Sequence, residues 1–182
     1  MRKKNKGFTL LELMIVLVIA GIAMGAAFPA FQGMITRNRI ATQTNDLLLA
    51  INVARSEALR VSGIVSVQAI DGGDANSEFG EGYCVVVGNP GDCDGADEPG
   101  GADPRPFRVF PALVGQTRLD SVENVTSLQF NSLGALSGTA GATRAFDICH
   151  PDVAGRRIVI TAIGRSKSHR PDDPVAAFQP DC

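Results

Sequence analysis

The sequence predicts an α+β fold: a long N-terminal helix, transmembrane in its first half and amphipathic in its second, packed on a mostly antiparallel β-sheet head. Three observations carry this prediction. An apolar run of 21 residues begins at Phe8, helical periodicity continues beyond it, and short strand-like runs separated by turn signals follow. The 182 residues suffice for one domain and a short appendage.

The first element is a candidate membrane helix over residues 8–28. Four basic residues and no acid stand in positions 1–7, and the apolar run follows at once. As a helix this run extends about 31 Å, enough to cross the hydrocarbon core of a bilayer. The basic start predicts a cytoplasmic N-terminus and an exported remainder. Glu12 is costly in such a run unless it is paired, protonated or able to reach the headgroups.

The second element is an amphipathic continuation over residues 29–62. Pro29 is expected to end or kink the apolar segment. Beyond it, Arg55, Glu57 and Arg60 are predicted to lie off the buried stripe, and Gly63 is predicted to close the helix. The stripe itself is apolar at helical spacing and comprises Ile40, Leu47, Leu48, Ile51, Ala54 and Ala58.

The remainder, residues 63–182, is predicted to form the β-rich head. Short runs rich in β-branched and aromatic residues alternate with clusters of Gly, Pro, Asn and Asp. The predicted strands cover residues 64–70, 83–87, 107–110, 125–130, 145–149 and 156–163.

Charge is sorted along the chain. The net charge is −2 and aromatic residues make up only 5 %, without Trp, which argues against a wholly basic protein that stacks bases. Between residues 71 and 103 there are nine acids and no base, whereas residues 153–171 contain five bases and no acid. The basic stretch is therefore a local exception on an acidic head.

The N-terminal residues KGFTLLELMIVLVIAGI resemble the class III signal of type IV pilins and pseudopilins. The resemblance implies that a prepilin peptidase cuts between Gly7 and Phe8, removing residues 1–7, and that Phe8 is then N-methylated. It also implies that Glu12 meets the N-terminal amine of a neighbouring pilin when subunits leave the bilayer, so that the two charges compensate. The implied location is the bacterial inner membrane, crossed once, with a periplasmic head and entry into an extracellular pilus.

The head carries a second resemblance. NDLLLAINVARSEALR, and then VTSLQFNSLGAL, FDIC and RRIVITAIGR in that order, resemble the GspH/FimT group of minor pilins and pseudopilins. This implies a type IV pilin-like fold and a structural and binding role alongside other pilins of a filament.

Four cysteines in an exported domain predict disulfides, because such compartments are oxidising. Three pairings are open, and we favour Cys84 with Cys93 and Cys149 with Cys182. The second bond would hold the C-terminal segment against the sheet. A metal site built from all four thiolates is disfavoured, since close CxxC pairs are missing from the sequence.

No cofactor or metal and no enzymatic activity are predicted. The acidic stretch around Asp92 matches a calcium loop poorly, because an EF-hand counted from there would find Asp97 and Asp103 in place of Gly and Glu. A solvated acidic loop is favoured instead. The two histidines lack metal-ligand spacing, and His150 is expected in a turn before Pro151.

The basic end is the candidate binding segment. In a strand, Arg157 and Arg165 would share a face, and Gly164 would allow a bend that releases the residues after it as a mobile basic tail. Such a tail suits a polyanion, and it would contact a phosphate backbone weakly, salt-sensitively and independently of sequence. It also resembles the GRxR-type motif of FimT-like minor pilins, which implies DNA binding in natural transformation. The candidate residues are Gly164, Arg165, Lys167, Arg170 and Arg157.

The sequence thus predicts a minor pilin of a type IV pilus whose basic tail binds DNA for uptake. Lys167 departs from the motif, because Lys lacks the planar fork with which Arg grips phosphate. Two alternatives stay open: a minor pseudopilin of the type II secretion system, and a pilus-priming subunit without a DNA role. For the basic residues alone, contact with neighbouring subunits or plain solvation of an edge strand are the competing interpretations.

Overall fold

A computed structural model describes residues 8–70, 73, 77–88, 93, 106–137, 143–175 and 178–182. Its one long helix, α1, spans Leu10–Val61 and contains 52 residues. The chain divides into two compact units, Met1–Asn38 and Arg39–Cys182. The helix runs through Pro29, so of the two outcomes predicted there, termination is wrong.

Both ends of α1 are capped by local hydrogen bonds. The Thr9 hydroxyl accepts the backbone N–H of Glu12 at 3.2 Å, which makes Thr9 the N-cap of a T-x-x-E capping pattern. At the other end Ser62 is left-handed, with φ of 50°, and the Gly63 N–H donates to the Ala58 carbonyl at 3.3 Å. The helix therefore closes one residue earlier than the predicted Gly63.

Within the described residues, the strands form two four-stranded sheets in which all neighbouring pairs are antiparallel. The first sheet has the order β3-β2-β1-β5 and the second β4-β6-β7-β8. All six predicted strands appear, whereas β4 and β8 were not predicted. The bounds are β1 Val65–Ala69, β2 Tyr83–Val87, β3 Pro106–Phe110, β4 Arg118–Ser121, β5 Ser127–Phe130, β6 Arg144–His150, β7 Val153–Ile160 and β8 Ser166–His169.

One hydrophobic core joins the second half of α1 to both sheets. The predicted helix stripe faces this core: Ile40, Leu47, Ile51, Ala54 and Ala58 are buried, and Leu48 is half-buried against them. Phe79 links the sheets, with its ring edge-on to Phe146 at 5.1 Å and 5.8 Å from Tyr83. Glu57, predicted off the stripe, is instead buried and accepts hydrogen bonds from Arg60.

The β7–β8 hairpin corrects the predicted mobile tail. The Thr161 N–H donates to the Arg165 carbonyl at 2.9 Å, and the Gly164 N–H donates to the Thr161 carbonyl at 2.8 Å. Gly164 has φ of 77°, as the last position of a three-residue hairpin loop requires. Gly164 therefore turns the chain back along β7, and the residues that follow pair as the edge strand of the second sheet.

Candidate functional site

The second sheet has an inner face in the core and an outer face that carries most of the candidate residues. Side chains alternate along a strand, so buried Ile158 and Ile160 leave Arg157 and Val159 on the other side. The register places Val159 opposite Lys167, and Asp147 opposite Arg157. We call this side, from β4 to β8, the outer face.

At the β8 edge of the outer face, Arg165 and Lys167 are exposed. Arg165 directly follows the hairpin loop and pairs with Thr161, and Lys167 lies within β8. Within the described part of the chain neither side chain forms an ion pair, although the positive charge of Lys167 lowers the pKa of Asp173. Two cations therefore stand at the sheet edge with their charges open to an external anion.

Gly164 has a structural reason to be glycine beyond its left-handed backbone. A Cβ at this position would lie 2.1 Å from the Gly134 carbonyl oxygen and 3.2 Å from Cδ of Arg55. Arg55 in turn donates its Nε–H to that carbonyl at 3.1 Å. The hairpin loop is thus packed onto the turn after β5 and onto α1, which fixes the point from which Arg165 projects.

Arg157 pairs with Asp147 inside the protein, so its charge is not available to an external ligand. Its Nε and Nη2 donate to the two carboxylate oxygens of Asp147 at 2.7 and 2.5 Å, and the two side chains are only 11 % and 4 % exposed. This bidentate pairing raises the pKa of Arg157. Arg157 does share the predicted face, but its guanidinium is committed inside the protein.

Residues 171–175 and 178–182, here called the C-terminal strap, cover the middle of the outer face. Asp173 lies 2.8 Å from Nδ1 of His169, the Phe178 ring stacks on His169 with centroids 4.3 Å apart, and the Asp181 N–H donates to Asp147 at 3.0 Å. The hydrogen bond to His169 holds the pKa of Asp173 below its usual range. Arg170, between β8 and the strap, is exposed.

Both predicted disulfides are confirmed. Cys149–Cys182 ties the strap to β6, and Cys84–Cys93 joins β2 to a residue that packs in a small cluster with Val86. Residues 71–72, 89–92 and 94–105 lie outside the described residues, and with them most of the acidic stretch, including Asp92, Asp97 and Asp103. Elsewhere in the described chain, no group of three or more His, Cys, Asp and Glu side chains could hold a metal ion.

Sequence reasoning missed a group of three acids where β4 meets β6, two of which, Glu78 and Asp147, are buried. Glu78 is buried and accepts the Ser121 N–H at 2.8 Å, and its carboxyl group lies close to that of Asp120. Burial, Glu78 and the nearby Asp147 together raise the pKa of Asp120 to about 6, against the opposing effect of Arg118. No sequence signal joins residues 78, 120 and 147, because only strand pairing brings them together.

His150 lies one position before the turn in which the sequence predicts it. It ends β6 opposite Val153, and its Nδ1 accepts the Asp152 N–H at 3.2 Å. The two intervening residues, Pro151 and Asp152, form the hairpin loop to β7. His150 is thus satisfied locally.

At the N-terminal end, Gly7 lies outside the described residues, while Phe8 is 79 % exposed and Glu12 stands exposed in the first turn of α1. An acid in this turn is favoured by the helix dipole. Large apolar side chains are exposed from Phe8 to Ile35. The sequence predicts a bilayer-crossing segment over 8–28, yet in the described portion no helix meets the length and hydropathy expected of a membrane span.

Two family profiles match the chain. The prokaryotic N-terminal methylation motif matches residues 2–28, and the profile of the type II transport protein GspH matches residues 43–164. The second match covers well over half of the chain and stops one residue before Arg165.

Several known proteins are similar to this chain. A type IV major fimbrial protein FimA of Dichelobacter nodosus is 35 % identical over 89 residues, which is 49 % of this chain and 48 % of that protein. A fimbrial protein of Pseudomonas aeruginosa is 38 % identical over 64 residues, 35 % of this chain and 42 % of that protein. The chain thus matches about half or less of the length of these curated relatives.

The fold is similar to that of a solved structure. The type IV minor pilin FimU of Pseudomonas aeruginosa superposes with a TM-score of 0.57 at 22 % identity, covering 74 % of this chain and 90 % of FimU. A second crystal form of FimU gives a TM-score of 0.53. The α+β, pilin-like fold expected from the sequence is confirmed.

Proposed function

The chain belongs to the GspH family of minor pilins and pseudopilins, and from that membership we propose that it is a minor pilin of a type IV pilus that binds DNA through the β8 edge. Its role is structural and binding rather than catalytic. The partners are other pilins of the filament, a prepilin peptidase, the inner membrane and DNA.

The N-terminal motif supports processing and assembly. A prepilin peptidase would cut between Gly7 and Phe8 at the cytoplasmic side of the inner membrane, and the apolar segment over residues 8–28 would then anchor the subunit with its head in the periplasm. In the filament, the exposed carboxylate of Glu12 would pair with the new N-terminal amine of a neighbouring subunit.

This assembly step predicts that Glu12→Ala leaves processing intact but removes the subunit from filaments. Without the carboxylate, the neighbour's amine would enter an apolar core unpaired, which is costly. Immunoblots of membranes and of sheared pili would show processed protein in the first and at least ten-fold less in the second. Normal amounts of the variant in sheared pili would refute the pairing role.

The observation that carries the DNA proposal is the pair of exposed cations at the β8 edge, Arg165 and Lys167, presented by the Gly164 loop and supported by Arg170. Arg157 contributes to the sheet and not to the surface. Cations of this kind neutralise phosphates and release counterions, so binding would be independent of sequence and weakened by salt.

We predict that Arg165→Gln/Lys167→Gln weakens the salt-sensitive DNA binding of the full chain in detergent. Removing two phosphate contacts would flatten the slope of log affinity against log salt by about 2 and lower affinity at low salt by at least ten-fold. Fluorescence anisotropy with a labelled duplex, titrated at several salt concentrations, measures both quantities.

The matched control is Arg108→Gln/Arg118→Gln, which removes two exposed cations from β3 and β4 and changes the net charge equally. DNA binding by this variant should stay near that of the parent protein. Equal losses in both double variants would mean that overall charge, not the β8 edge, attracts DNA.

A second candidate function is a minor pseudopilin of the type II secretion system, and the GspH profile match favours it. In that case the β8 edge would contact another subunit, and a pilus-priming role without DNA would be equally consistent with that contact. The same β8 double variant discriminates: loss of transformation with normal piliation supports DNA capture, whereas loss of protein secretion or of pili supports a subunit contact.

A further inference from the structure

A cavity of about 480 Å³ opens beside the two cations of the β8 edge. Val159, Ile163 and Phe178 supply apolar surface, His169 lies against Phe178, and Arg165 and Lys167 also line it. The C-terminal strap turns back to bring Phe178, nine residues after His169, to this place, so the aromatic ring next to the basic motif is a product of the fold. We call this feature the hairpin cavity.

The composition of the hairpin cavity fits an anion that carries a flat apolar part. Pockets of a few hundred Å³ with mostly apolar linings and a few charged groups are typical of small-ligand sites. If this edge strand were only solvated, an exposed Lys167 would be sufficient. If the site bound only phosphate, Arg165 and Lys167 would be sufficient. Neither accounts for Ile163, which is 60 % exposed at the tip of the loop, or for the aromatic ring.

The aromatic pair is held in a fixed position. The Phe178 and His169 planes are inclined by only 27°, and Asp173 holds the His169 ring through Nδ1 at 2.8 Å. The disulfide from Cys182 to Cys149 ties down the end of the same strap. A preordered ring of this kind offers a stacking surface at little entropic cost.

From these observations we propose that the hairpin cavity receives an unpaired nucleobase while Arg165 and Lys167 hold the adjoining phosphates. The proposal rests on DNA binding at the β8 edge and adds a preference for single strands or frayed ends. In an intact duplex each base is stacked between its neighbours, so its face is hidden, whereas an unpaired base presents that face to an aromatic or apolar side chain.

The test compares the affinities of three labelled ligands, each 12 nucleotides or base pairs long, for the full chain in detergent. They are single-stranded oligothymidylate, a duplex, and an abasic oligonucleotide with the same number of phosphates. One stacked base should make oligothymidylate bind about five-fold to a hundred-fold more tightly than the abasic strand. The affinity for the duplex should equal that for the abasic strand once the higher phosphate density of the duplex has been taken into account.

Two variants locate the effect. Phe178→Ala removes the ring, and Ile163→Ser changes an exposed loop residue that is not in the core, so a folding defect in the first leaves the second informative. Each should reduce oligothymidylate affinity toward that of the abasic strand and leave abasic binding unchanged. Leu133→Ser, in the neighbouring turn at 79 % exposure, is the matched control and should have no effect.

The outcomes separate this proposal from the one on which it rests. Equal affinity for oligothymidylate and the abasic strand would overturn the nucleobase site and keep phosphate binding. Failure of all three ligands to bind would overturn both. A preference for oligothymidylate that survives both Phe178→Ala and Ile163→Ser would place base stacking elsewhere on the chain and would also overturn the nucleobase site.

Discussion

Basic residues lie both in the middle and at the edge of the outer face, but only those at the edge are exposed. In the middle, Arg157 is nearly buried, gripped by Asp147 and covered by the C-terminal strap. At the edge, Arg165 and Lys167 stand exposed with nothing from the described chain paired to them. A basic residue on a shared face therefore says little about binding, because the partner and the cover decide whether its charge reaches an external ligand.

Among the variants that test this difference between middle and edge, Asp147→Ala is expected to have the largest effect on stability. It would leave the buried Arg157 charge without its partner, a change that typically costs about 3 to 5 kcal/mol. We expect the Tm of the full chain to fall by about 10 °C in thermal unfolding followed by circular dichroism.

Two further variants accompany this experiment. Asp147→Ala/Arg157→Met should recover most of the lost stability, because the unpaired charge is gone. Arg165→Ala should move the Tm by less than about 1 °C. A similar loss of Tm in Arg165→Ala and Asp147→Ala would erase the distinction between middle and edge.

The next largest effect is expected from breaking the disulfide that holds the C-terminal strap over the outer face. Cys149→Ser/Cys182→Ser opens a loop of 33 residues, and the loss of such a bond typically costs about 2 to 4 kcal/mol. We expect hydrogen exchange to accelerate first in residues 178–182 and at Asp147, while β1 and β2 stay protected.

Cys84→Ser/Cys93→Ser is the comparison variant, because its bond lies on the first sheet. It should leave exchange in the strap unchanged. Acceleration of the strap in both variants would show that the strap depends on global stability and not on its own disulfide.

The smallest effect tests the acids at the far side of the outer face. The pKa of Asp120 is raised to about 6 by burial and by Glu78, so the folded chain keeps a proton that the unfolded chain releases near pH 4. The contribution of this group to stability therefore falls as pH rises from about 4 to about 6, and its cost is fully present above that range.

Asp120→Asn carries no titrating proton and removes this pH dependence. Relative to the parent protein, its Tm should be equal near pH 4 and higher by roughly 2 °C at pH 7. Melting curves at half-unit pH steps measure the difference. A constant Tm difference between the two proteins across that range would mean that Asp120 titrates alike in the folded and unfolded chain.

Much of the fold could be predicted from the sequence, because local patterns carry it. The apolar run, the helical stripe from Ile40 to Ala58 and the β-branched runs are all local signals. Strands β4 and β8 were missed, since Arg118–Ser121 and Ser166–His169 lack strand-forming composition and pair only because neighbouring strands are already in place.

The candidate site was only partly predictable. Arg165 and Lys167 carry a motif that the sequence displays, but the partner of Arg157 depends on the register between β6 and β7, and the proximity of Phe178 depends on the path of the strap. Likewise, the sequence predicts that a bend at Gly164 frees the following residues as a mobile tail. In the structure Gly164 forms a tight turn against Gly134. The backbone freedom of glycine permits both outcomes, and only the surrounding packing selects one.

The contact of Arg55 with the two turns has a mechanical consequence. Arg55 projects from α1 and donates to the Gly134 carbonyl, the same oxygen against which Gly164 packs, so the helix is linked to the base of the hairpin by way of the turn after β5. A pull along α1 would therefore reach the hairpin through this hydrogen bond as well as through the hydrophobic core that joins the helix to both sheets. A load on a strand bound at the hairpin would reach the helix by the same two routes.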